Sequence, residues 1–171
     1  DTGGDLWSIY YLRGMTYERL DQYNESDRDL EKALNLRPNN PYILNYLGYS
    51  LADRGLNLDK ALEYIKKAAE LEPDDGYITD SLGWVLYRMG EYEKAVPYLE
   101  RAVELLPYDA VINDHLGDAY WKVGREMEAR FQWRRALNHS EDDELTALIR
   151  KKMDLGLDQV DAIKAAQNES D

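Results

Sequence analysis

The sequence predicts an all-α fold, an α-solenoid of four helix-turn-helix units closed by a C-terminal capping helix. Three observations carry that prediction. Glycine recurs at Gly14, Gly48, Gly83 and Gly117, at gaps of 34, 35 and 34 residues. A second glycine follows seven residues after three of these, at Gly55, Gly90 and Gly124. Alanine recurs in fixed phase at Ala33, Ala68, Ala102 and Ala136, and proline at Pro38, Pro73 and Pro107. Self-similarity at such a period marks stacked two-helix repeats, each of which buries its apolar face only against its neighbours.

The units are expected over 7–40, 41–75, 76–109 and 110–143, with a capping helix and tail over 144–171. First helices are placed at 7–20, 41–54, 76–89 and 110–123. Leu47-Gly48, Leu82-Gly83 and Leu116-Gly117 then fall in mid-helix, where glycine costs about 1 kcal/mol against alanine. A cost repeated at one phase needs a repeated reason, and the missing side chain supplies one by letting the neighbouring helix approach. Gly55, Gly90 and Gly124 end these helices at positions suited to left-handed backbone. Second helices follow at 24–36, 59–71, 92–105 and 126–138, nested through Ala61, Ala95 and Ala129 and the alanines seven residues on. Pro38, Pro73 and Pro107 stop the first three, because a residue before proline is pushed out of helical geometry. An added helix near 143–154 carries Leu145, Leu148, Ile149 and Met153 on one face and Arg150, Lys151 and Lys152 on the other, the polar-backed cap a solenoid needs. Leu157, Val160 and Ile163 mark a further short helix, and 168–171 is expected to fray.

The phase of Leu82-Gly83, Leu86, Ala95, Leu99, Ala102 and Pro107, and of Leu116-Gly117, Tyr120, Ala129, Trp133 and Ala136, resembles the tetratricopeptide repeat over residues 7–143. There are departures. Arg13 replaces the usual Leu and Ser26 the usual Ala in unit one, unit two holds an extra residue around Asn57-Leu58, and unit four has Glu141 where Pro is usual. The segments Leu44 to Tyr49, Asp80 to Trp84 and Asn113 to Trp121 resemble the C-terminal part of longer Gram-negative tetratricopeptide proteins. Some of those are outer-membrane lipoprotein adaptors of a periplasmic processing protease. That resemblance implies a bacterial, periplasmic or outer-membrane-associated adaptor. Because the first residue is Asp1 rather than Met, the chain is expected to be a piece of a longer parent.

Composition narrows function. Lys and Arg number 21 against 34 Asp and Glu, and a net charge of -13 is repelled by phosphate, so no nucleic-acid partner is expected. Without cysteine there is no thiol nucleophile and no zinc–thiolate site. No apolar run approaches the roughly 20 residues of a membrane helix, so this segment is expected to make no membrane contact. Only His115 and His139 are present, without a partnering nucleophile motif, and no glycine loop cradles phosphate. Asp74-Asp75-Gly76 lacks the alternating acidic ligands of a calcium loop and reads as a turn and helix start. Neither enzyme activity, cofactor nor metal is expected.

In the family the first helices line the concave face and present positions two, five, nine, twelve and thirteen of each unit. Unit one offers Ser8, Tyr11, Met15, Glu18 and Arg19 there, and unit two Tyr42, Asn45, Tyr49 and Asp53. Unit three offers Tyr77, Asp80, Trp84, Tyr87 and Arg88, and unit four Val111, Asp114, Asp118, Trp121 and Lys122. Tyr49, Trp84, Tyr87 and Trp121 are expected to expose their rings to the groove, whereas Tyr17, Tyr64, Tyr98, Tyr120 and Trp133 are placed in the core. Asp80, Asp114 and Asp118 are expected to select a ligand bearing basic groups. The leading functional reading is a non-catalytic scaffold that holds a protein or peptide partner in this groove. The alternative is a stacking or self-association element of a longer array.

Overall fold

The computed structural model describes residues 6–168 of the 171. Those residues form ten helices and no strand: α1 (Leu6–Arg19), α2 (Tyr23–Leu36), α3 (Pro41–Asp53), α4 (Leu58–Leu71), α5 (Gly76–Arg88), α6 (Tyr92–Leu105), α7 (Ala110–Lys122), α8 (Glu126–His139), α9 (Asp143–Leu155) and α10 (Leu157–Asn168). Helices pair as α1 on α2, α3 on α4, α5 on α6 and α7 on α8, and the pairs stack in chain order. The first helices also meet one another, α3 with α5 and α5 with α7, so they form one continuous wall.

Local chemistry sets the boundaries. Asn40, Asp75 and Asp109 cap α3, α5 and α7, each side chain accepting from amides of the first turn. The Asp74-Asp75-Gly76 segment is thus a helix start. Arg37, Glu72 and Leu106, each just before a proline, leave helical geometry at φ near -130° to -137° and end α2, α4 and α6. The extra residue of unit two is absorbed by Asn57, which takes a left-handed φ of 42° and caps α4.

The mid-helix glycines serve close packing. A Cβ on Gly117 would stand 2.4 Å from Trp133 Cδ1, and one on Gly83 would stand 2.6 Å from Leu99 Cγ. Trp133, Leu99 and the repeat-phase alanines Ala95, Ala102, Ala129 and Ala136 are wholly buried there. In unit one, Arg13 replaces an apolar contact with a forked pair to the buried Asp29 carboxylate, one arm of it 3.0 Å long.

Three expectations need correction. Tyr98, placed in the core by its phase, is 42% exposed, because its position on α6 faces outward. Lys152, placed on the polar back of the cap, points inward and is 2% exposed. The short helix near Leu157 is a full 12-residue α10. Asn168 is its last residue, and 169–171 of the expected frayed end lie outside the described residues. Among the described residues no helix is long and apolar enough to cross a membrane.

Candidate protein-binding groove

The wall of first helices faces a cavity of about 650 Å³. Tyr49 and Asp53 of α3, Trp84, Tyr87 and Arg88 of α5, and Val111, Asp114, Asp118 and Lys122 of α7 all line it, so the structure gathers nine of the concave-face positions into one hollow. A second, smaller hollow of about 320 Å³ collects Asn45, Tyr49, Tyr77, Asp80 and Val111. Tyr42 stands exposed near the start of α3. In unit one, Glu18 lines a third hollow with Tyr46 and Tyr49.

The aromatic lining is layered. Trp84 stacks on Tyr87 at 4.8 Å between ring centroids, and His115 stacks on Trp84 at 3.9 Å, with planes 11° apart. Trp84 Nε1 donates to Asp53 Oδ1 at 3.3 Å. Sandwiched this way, the Trp84 ring is only 8% exposed, a correction to its expected exposure: it forms wall rather than a free anchor. Tyr49, Tyr87 and Trp121 remain half-buried, and Tyr77 is exposed. Burial pushes the Tyr49 and Tyr87 phenols upward, so both stay neutral across the physiological range.

The carboxylates differ more from expectation. Asp80, Asp114 and Asp118 are each about 5% exposed or less, and each is already partnered. His115 Nδ1 lies 3.0 Å from both oxygens of Asp80. Lys152 Nζ donates to Asp114 Oδ1 at 2.9 Å, Asp114 Oδ2 at 2.8 Å and Asp118 Oδ2 at 2.8 Å, which uses all three of its protons. Trp133 Nε1 donates to Asp118 Oδ1 at 3.0 Å, tying the core to the groove floor. Burial, then the adjacent Asp114 charge, push the Asp118 carboxyl up to about 6, against the pull of Lys152 and Trp133. Burial works against the Lys152 ammonium, but the two carboxylates outweigh it and hold its pKa above the usual lysine value. These three aspartates are therefore structural, and the selection of basic ligands expected of them is withdrawn.

The C-terminal helices close one end of the groove. Leu145, Leu148 and Lys152 of α9 and Leu157, Asp161 and Lys164 of α10 line the large cavity opposite α3 and α5. Trp121 Nε1 donates to Asp158 Oδ2 at 3.1 Å, and Lys122 Nζ donates to Asp158 Oδ1 at 2.7 Å and Asp161 Oδ2 at 2.8 Å. Gly156 joins α9 to α10 at φ 81° and ψ 153°, directly over the Trp121 ring. Sequence reasoning missed Lys152, Asp158 and Asp161 as groove residues. Their separations from Asp114, Asp118, Trp121 and Lys122, between 34 and 39 residues, were the available signal, since residues one repeat apart lie side by side on adjacent units. Arg130 and Arg135 of α8 donate to the Met153 and Pro107 carbonyls.

Comparison with known proteins agrees with this architecture. Residues 8–40 and 80–109 each match a tetratricopeptide repeat model. Over 84 residues the chain is 36% identical to the TPR repeat-containing protein PA4667 of Pseudomonas aeruginosa, an alignment spanning 49% of this chain and 14% of that protein. Among solved structures, MamA AMB-1 superposes with a TM-score of 0.62 at 22% identity, covering 76% of each chain. A mutant of the Thermobaculum terrenum O-GlcNAc transferase superposes with a TM-score of 0.71 at 23% identity, covering 79% of this chain and 27% of that one. Both likenesses are of fold.

Proposed function

Because the chain carries tetratricopeptide repeats, a fold that generally serves as a non-catalytic protein-interaction scaffold, we propose that it binds a protein or peptide segment along the concave face. The carrying observation is the 650 Å³ hollow with Tyr49, Trp84 and Tyr87 in its wall. Preformed aromatic surface of this kind supplies binding energy without an ordering cost in the receptor. With Asp80, Asp114 and Asp118 consumed internally, contact falls to Tyr42, Asn45, Tyr49, Tyr77, Tyr87, Arg88, Trp121 and Lys122. A periplasmic, outer-membrane-associated setting belongs to the same reading and is tested by fractionating the parent organism.

The experiment is partner capture on the immobilised full chain, compared with Tyr49→Ala/Tyr77→Ala. These rings line the smaller hollow, and Tyr77 is exposed, so its removal leaves the core intact. Loss of a captured protein with an unchanged melting curve supports the reading. Equal capture by both chains rejects the groove as the binding surface.

A second reading, stacking or self-association, is favoured by one observation: Leu6, Ile9 and Leu12 of α1 stand 43%, 55% and 59% exposed. Sedimentation of Ile9→Asp/Leu12→Asp against the unsubstituted chain separates it, since only a self-associating chain changes mass.

A further inference from the structure

We propose that the closed end of the groove recognises an acidic segment of the protein partner, and that α10 is this chain's own stand-in for that segment. The inference rests on the groove reading above and adds the chemistry of the ligand and the state of the site in the free protein.

The cations at this end are the starting point. On the groove floor Asp80 is paired with His115, and Asp114 and Asp118 share the single Lys152 ammonium, so neither cation is free for a ligand. Lys122 is different: both of its partners, Asp158 and Asp161, come from α10, at 2.7 and 2.8 Å. They lie three residues apart, one turn of helix, so a single ammonium grips one face of a helical segment. Trp121 adds a directional donor to the same Asp158 carboxylate at 3.1 Å. An aromatic donor beside a cation, closed over two carboxylates one turn apart, is a reader of acidic helical sequence.

The hold on α10 is weak. Asp158 and Asp161 are 71% and 46% exposed, so water and salt screen both pairs. Of the apolar residues of α10, Leu157 and Val160 are buried whereas Ile163 is half exposed. By contrast α9 is anchored by the wholly buried Ile149 and by Lys152. Turning α10 away on Gly156 strips two negative charges from the groove and leaves Lys122 in the same hollow as Arg88, whose ion-pair partner Asp53 is 3.8 Å away and exposed. A partner helix with carboxylates one turn apart then meets the surface that α10 vacates.

The test uses the full chain and a defined probe. The probe is a fluorescein-labelled peptide with the sequence of residues 155–168, and its control carries Asn in place of both aspartates. The receptors are the unsubstituted chain, Asp158→Asn/Asp161→Asn, and that double variant with Lys122→Gln added. A receptor whose site is mostly occupied in cis shows an affinity reduced by the unoccupied fraction. The double variant is therefore expected to bind the acidic probe about tenfold or more tighter than the unsubstituted chain. Adding Lys122→Gln is expected to abolish the gain, and the control peptide is expected to bind none of the three. Equal affinity in all receptors, no binding to the double variant at millimolar probe, or equal binding of the control peptide overturns the proposal. Those failures are independent of partner capture through Tyr49 and Tyr77: if capture persists, the groove reading stands and only the acidic ligand and the role of α10 fall.

Discussion

His115 of α7 places Nδ1 3.0 Å from both carboxylate oxygens of Asp80 on α5, 35 residues earlier in the chain. Trp84 covers one face of the imidazole, and Tyr49 lies tilted 6.3 Å away. The pair is a bond between consecutive units, made at the floor of the groove. Its strength depends on the charge of the ring.

That charge sets a pH dependence. Burial disfavours the imidazolium, but Asp80, by charge and by hydrogen bond, and then Asp114 and Asp118 outweigh it, so the folded pKa lies above the ordinary histidine value. A raised pKa means the folded state binds the proton more tightly, so the stabilisation is complete below about pH 6.5 and is lost as pH rises through the folded value. Denaturation of the unsubstituted chain and of His115→Gln between about pH 6 and 9 tests this. The stability difference between them is expected to shrink as pH rises; a constant difference contradicts the pairing.

Lys152→Met probes the second buried cluster. Removing the ammonium leaves Asp114 and Asp118 facing each other without a counter-charge, and breaking one side of a buried pair costs about 3–5 kcal/mol. Converting Asp114 and Asp118 to Asn in the same chain is expected to recover much of that loss, since the penalty lies in the orphaned charges. Urea denaturation of the two variants decides it. A Lys152→Met loss under about 1 kcal/mol would place the cluster in water.

The repeat was legible because its packing is periodic: Gly83 and Gly117 exist for Leu99 and Trp133, and the same geometry recurs in every unit. Helix ends were legible within a residue or two because Asn40, Asp75 and Asp109 act locally. The groove was legible as a face and misread as a surface. Helical phase correctly turns Asp80, Trp84, Asp114 and Asp118 to the concave side, but phase carries no information on what lies opposite. His115 and Lys152 lie opposite, one repeat downstream, and they convert expected ligand contacts into buried structure. Lys152 was misplaced because α9 was read as a cap whose polar back faces solvent, whereas Lys152 reaches Asp114 and Asp118 one repeat earlier, as a residue on the first helix of a fifth unit would.

Gly117→Ala sets two effects against each other. Alanine favours the helix by about 1 kcal/mol. The new Cβ would stand 2.4 Å from Cδ1 and 2.5 Å from Nε1 of Trp133, a rigid ring further pinned to Asp118. Overpacking of that kind costs about 1–3 kcal/mol, so a net destabilisation is expected. Adding Trp133→Leu, which frees the space, is expected to remove the penalty specific to alanine, even though the loss of the ring itself lowers stability. A double-mutant cycle by chemical denaturation measures the coupling.

Ser26→Ala is expected to stabilise. Ser26 is wholly buried in α2, and its hydroxyl has no hydrogen-bond partner. Replacing it removes an uncompensated polar burial and restores the alanine found at Ala61, Ala95 and Ala129 in the other units. The gain expected is about 1 kcal/mol, together with a small helix-propensity term. A melting temperature below that of the unsubstituted chain would mean that the hydroxyl has a water partner.

Gly156→Ala separates the attachment of α10 from the stability of the solenoid. At φ 81° and ψ 153° an L side chain is strained by about 1–3 kcal/mol, and its Cβ would also come within 2.7 Å of Trp121 Cζ2. The strain is not forced on the repeats, because α10 lies at the end of the stack and packs on α9 and α7 through Leu157, Val160 and its two aspartates. The inexpensive relaxation is therefore for the joint to re-form with α10 undocked. Amide hydrogen exchange is expected to accelerate across 157–167 while α5 to α8 keep their protection, and the global denaturation midpoint is expected to move little. Uniform acceleration in every helix would show instead that α10 is an integral part of the cooperative core, held as firmly as the units it closes.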